Sequence, residues 1–163
     1  MGSRKSTPTK LENDVAAALD EFEKKYPITK GKAYLTSGNR TIEEQLQIIL
    51  DPKYEKNYPN IKGRFKSKYK LKTLPKRGEL TKEQVEWWNS EIAKQAGKPN
   101  GFAHVGGYAQ DISVKNLTDE EKQKLTLMLN SKGFRVYNEH YSKSKVTFGV
   151  PIGQANLFHL TRK

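Results

Sequence analysis

The chain has 163 residues, enough for one domain with a buried core. It carries 30 Lys and Arg against 18 Asp and Glu, a net charge of +12, which predicts attraction to polyanions. There is no cysteine, so disulfide frameworks and thiolate metal sites are excluded, and no apolar run approaches the roughly 20 residues of a membrane span.

Met1, Gly2 and Ser3 read as a cloning remnant, and residues 1–10 together as a disordered leader without a signal-peptide core. Leu11, Val15, Ala18, Leu19, Phe22 and Tyr26 recur at helical spacing, so a helix is expected up to Pro27. Ala33 to Thr36 reads as a short strand that stops at Ser37-Gly38. Thr41 with Glu44 predicts a capping box and a second helix through Gln45, Leu46, Ile49 and Leu50.

Residues 51–100 read as an insertion. Ile61 to Arg77 holds eight Lys and Arg and no acid, interleaved with Phe65, Tyr69, Leu71 and Leu74. Two readings fit: a solvated basic loop or hairpin, and a flap beside a cleft that contacts polyanions. Thr81 with Gln84 predicts a third helix with Val85, Trp88 and Ile92 inward. Trp87 and Trp88 are adjacent and cannot share a helix face, so one belongs to the core and the other is free to line a groove.

Ala109 to Val114 reads as a strand, Thr118 with Glu121 opens a fourth helix, and three strand-like pieces follow at Phe134–Tyr137, Val146–Val150 and Leu157–Thr161. Glu139 and His140 read as a polar turn. Helices flanking a small antiparallel sheet make an α+β fold, one domain over 11–163, expected to be monomeric.

Chemistry concentrates in Gly101 to Ile112. His104 and Asp111 are separated by Gly106 and Gly107, which permit a sharp reversal, and His159 follows near the C-terminus. Two imidazoles and a carboxylate suit zinc with one coordination position left for water. The spacing alone also fits a histidine hydrogen-bonded to a strand carboxylate without metal.

The pattern His104-x-x-Gly107-x-Ala109-x-Asp111, preceded by Ser37-Gly38-Asn39-Arg40-Thr41 with Gln45 and followed by Phe158-His159, resembles the D-Ala-D-Ala carboxypeptidase family of zinc peptidases. That family includes L-alanyl-D-glutamate endopeptidases and shares its fold with lysostaphin-type enzymes and the Hedgehog signalling domain. The resemblance implies zinc ligands at His104, Asp111 and His159, a catalytic and substrate-binding arginine at Arg40, substrate contacts at Ser37 and Gln45, and peptidoglycan stem peptide as substrate; Trp88, from the tryptophan pair, is a further candidate substrate contact. Anionic wall polymers are a further expected partner, no recognised nucleic-acid motif appears, and the site of action would be the cell wall, reached by phage lysis, a secretion system or a parent protein.

Three positions depart from the family. Asn39 replaces an aromatic, Phe102 replaces a serine, and Asn156 stands three residues before His159, where the family keeps its catalytic acid. An amide cannot accept the proton of an attacking water. Three explanations stand: Asn156 replaces an original Asp or Glu, or Glu139 or His140 supplies the base, or the domain is a zinc-containing module that binds wall peptide or a protein partner without turnover.

Overall fold

In the computed structural model, which describes residues 9–98, 101–142 and 145–163, threonines start four of the helices. The Thr9 hydroxyl accepts from the Glu12 amide at 3.2 Å and opens α1 (Lys10–Lys25). Thr9 and Lys10, expected in the leader, are therefore part of the folded domain; residues 1–8 lie outside the described residues. In α2 (Ile42–Leu50) the Thr41 hydroxyl accepts from the Glu44 amide at 3.0 Å, while the Glu44 carboxylate accepts from the Thr41 amide at 2.9 Å. Such a box pairs two amides that would otherwise lack partners.

The expected basic loop is a helix, α3 (Pro59–Tyr69). Pro59 sits in its first turn, and Ile61, Phe65 and Tyr69, four residues apart, place one stripe against the core. Charge hid this stripe in the sequence, because its cations occupy the other faces. Several are structural. Buried Lys62 donates to the carbonyls of Tyr54 at 2.7 Å and Glu55 at 3.1 Å; Arg64 pairs with Glu91, and Arg77 with Glu43. Thr81 and Thr118 then close the same capping boxes on α4 (Lys82–Gln95) and α5 (Asp119–Ser131).

Leu46, Ile49, Ile61, Phe65, Trp88 and Ile92 join Phe102 and Val105 in one hydrophobic cluster. Each large apolar side chain buried there contributes about 1.5–3 kcal/mol. The segment read as an insertion thus supplies half of this cluster. A separate cluster joins α1 and α5 to one face of the sheet, through Val15, Phe22, Leu125 and Leu129 against Ile112, Phe134, Phe158 and Leu160.

The sheet comprises β1 (Tyr34–Leu35), β2 (Ala109–Ser113), β3 (Phe134–Ser142), β4 (Lys145–Phe148) and β5 (Leu157–Arg162), ordered β1-β2-β5-β3-β4 and antiparallel throughout. The architecture is α+β, with an open sheet. β3 runs five residues past its expected end, so Glu139 and His140 are strand residues, not a turn. Side chains alternate along each strand: Ile112, Phe158 and Leu160 go to the core, and Asp111, His159, Tyr137 and Glu139 share the opposite face. No helix among the described residues is long and apolar enough to cross a membrane.

Candidate metal centre

Register brings the ligand set together. Asp111 on β2 lies directly opposite His159 on β5, and His159 lies opposite Tyr137 on β3. His104 arrives from the preceding loop, where Gly106 (φ 89) and Gly107 (φ 80) adopt the left-handed backbone that reverses the chain. Asp111 Oδ1 is 2.9 Å from His159 Nδ1, and Asp111 Oδ2 is 3.4 Å from His104 Nε2. One ligand atom from each residue lies within 4.8 Å of the other two, and His104 and Asp111 are buried.

The hydrogen-bond pattern fits a cation. His104 Nδ1 is 3.1 Å from the Gly38 carbonyl, which can only accept, so Nδ1 carries the proton. In the neutral ring Nε2 is then a lone pair facing a carboxylate oxygen. Two acceptors face each other stably only with a proton or a metal ion between them. Zinc bonds of roughly 2.0–2.1 Å at a tetrahedral angle set ligand atoms about 3.3 Å apart, close to the 3.4 Å observed here. Burial alone would raise the Asp111 carboxyl, but its contacts with the His104 and His159 imidazoles outweigh it and hold Asp111 well below the usual carboxylate range. Burial likewise opposes the charged form of His159, and the Asp111 carboxylate overcomes it, raising the imidazole. The buried His104, Asp111, His159 group can hold a metal ion.

Arg40 is tied to these ligands through the main chain. The Thr36 amide donates to Asp111 O at 2.9 Å and the Asp111 amide to Ser37 O at 2.7 Å. The Arg40 amide donates to His104 O at 3.0 Å, and the Gly106 amide to Arg40 O at 3.3 Å. Among the described residues the guanidinium bonds to neutral oxygens, Gln45 Oε1 and Ser37 Oγ, each at 3.1 Å. Gln45 is buried and also lies 3.5 Å from the Tyr58 hydroxyl. Ser37 and Gln45 therefore orient the arginine, which keeps its charge available to the cleft.

That cleft, about 1420 Å³, is lined by Arg40, His104, Asp111, Tyr137, Glu139 and His159 among others. The Glu139 carboxyl is buried and makes no hydrogen bond to another described residue. Burial first, then the neighbouring Asp111 charge, push it up to about 7, against the opposing charges of His159 and Arg40.

Three expected residues stand elsewhere. Asn156 leads into β5 three residues before His159, an odd step that faces the other side of a strand. Its amide is bound to the Tyr141 main chain, so residue 156 is not placed as a general base. His140 neighbours Glu139 on β3 and points the opposite way, exposed, with Nδ1 3.0 Å from the Gln154 carbonyl. Trp88 is fully buried, tilted against Phe65 and edge-on to Trp87 in the helical cluster, and so is a core residue with no surface to offer a substrate. Arg135 and Tyr137 also line the cleft, though neither belongs to the motif. The alternation Arg135, Tyr137, Glu139, Tyr141 was the available signal, and all four line the cleft.

Comparison with protein-family models, curated proteins and solved structures finds no match.

Proposed function

We propose that this chain is a zinc-dependent peptidase acting on the stem peptide of bacterial peptidoglycan, on the scaffold of the D-Ala-D-Ala carboxypeptidase family that its motifs resemble. The observation that carries the reading is the meeting of the His104, Asp111, His159 set with Glu139 and Arg40 in one cleft. The donor set, two imidazoles and one carboxylate, is the zinc-peptidase type with three protein ligands. When bound, zinc polarises a carbonyl and acidifies a water molecule.

The chain's own groups supply the rest. Glu139, with a proton affinity near neutrality, accepts a proton from the attacking water and returns it to the leaving amine. Arg40 binds the substrate's peptide oxygen and stabilises the negative charge that develops there. The net charge of +12 favours residence on an anionic wall.

The test is zinc content of the purified protein together with mass spectrometry of muropeptides after incubation. Zinc-loaded protein is expected to release stem-peptide fragments, and Glu139→Gln to lower the rate about 10²–10⁴-fold. Zinc bound without release of any fragment would favour a silent binding module instead.

A further inference from the structure

β3 carries a second arginine into the cleft. Arg135 is exposed and lines the cleft, and its side chain makes no hydrogen bond, ion pair or ring contact with any described residue. Its cross-strand partner is Thr161, which in turn pairs with Ala109 on β2. The row that runs from Arg135 across the sheet, next to the row of Tyr137, His159 and Asp111, therefore carries the short side chains of Thr161 and Ala109.

The arrangement has a direction. Tyr137 stands opposite His159; Arg135 lies two residues to one side of Tyr137 and Glu139 two residues to the other. Two residues of strand span roughly 7 Å, about the same length of extended substrate. The two other cations that line this end, Lys10 and Arg162, are both paired with Asp14. Among the described residues, Arg135 has no ion-pair partner. A guanidinium offers two parallel N–H groups to a carboxylate, a fit an ammonium does not reproduce.

We propose that Arg135 is a specificity-determining residue that binds a substrate carboxylate close to the scissile bond, on the side of the ligand row away from Glu139. This rests on the peptidase reading for the identity of the substrate, and its test is made on binding so that the two can fail separately. Zinc-loaded Glu139→Gln protein, used to prevent turnover, is titrated calorimetrically with a muropeptide bearing a free glutamate carboxyl and with the same peptide amidated there.

The acid form is expected to bind about tenfold more tightly, as for one charge-assisted hydrogen-bonded pair. Adding Arg135→Ala should reduce that ratio to near one, and Arg135→Lys should retain part of it, with the amide form little affected. Equal binding of acid and amide, an unchanged ratio in Arg135→Ala, or no binding of either peptide overturns the proposal. Selective binding by this protein without cleavage by the Glu139-containing protein would leave Arg135 as proposed and remove the peptidase reading.

Discussion

Both polar atoms of the Asn156 side chain are bound to the main chain of Tyr141: Oδ1 accepts from its amide at 2.7 Å and Nδ2 donates to its carbonyl at 2.8 Å. An aspartate there keeps the acceptor but sets a carboxylate oxygen against a carbonyl. We expect Asn156→Asp to lower stability by about 1–3 kcal/mol and to leave muropeptide cleavage no faster. Denaturant titration and a rate assay of the variant check both. A large gain in cleavage would return the base to position 156.

Glu139 should make the protein both active and less stable. Its folded proton affinity lies at about 7, above the ordinary value of 4.5. As pH rises through this window the unfolded chain ionises before the folded one, so native stability falls, and above it the deficit is constant. In metal-free protein, Glu139→Gln should be more stable than the parent at pH 8, by on the order of 1–3 kcal/mol, and nearly equal to it at pH 4. Urea unfolding at the two pH values decides this. A variant less stable than the parent at pH 8 would contradict the described burial.

Metal binding should be read most clearly in thermal stability. Zinc at 100 times its Kd adds about 2.7 kcal/mol, roughly 5–10 °C in Tm for a chain of this size. Because Asp111 raises His159, protons compete with the ion more strongly than at an ordinary histidine, so the gain should shrink as pH falls from 8 to 5. Asp111→Asn and His159→Ala should abolish it. An equal zinc shift in Asp111→Asn would place the metal elsewhere.

Trp88→Ala should cost about 3–5 kcal/mol through the cavity it leaves among Phe65, Ile92 and Leu46. Unfolding should report the loss, while the affinity of the folded fraction for substrate stays unchanged.

Much of this architecture could be read from local chemistry. The pairs Thr41 with Glu44, Thr81 with Gln84 and Thr118 with Glu121 marked three helix starts because a capping box is a contact between near neighbours in the chain. The candidate ligands His104, Asp111 and His159 were legible through the motif they resemble, and Gly106 and Gly107 supply the reversal that lets His104 reach Asp111. What stayed hidden depends on partners far along the chain. The stripe Ile61, Phe65, Tyr69 was obscured by lysines whose ties, such as Lys62 to the Tyr54 carbonyl, exist only after folding. Residue 156 was assigned by its distance from His159 in the chain, and strand alternation turned it the other way.

The four main-chain hydrogen bonds that lace Thr36, Ser37 and Arg40 to Asp111, His104 and Gly106 tie the Arg40 segment to the candidate ligands. Local opening of the Arg40 main chain should therefore disturb the loop that carries His104 as well, and a metal bound there should oppose both. Hydrogen exchange at the Arg40 and Asp111 amides would then slow together on loading with metal, although neither nitrogen is itself a ligand.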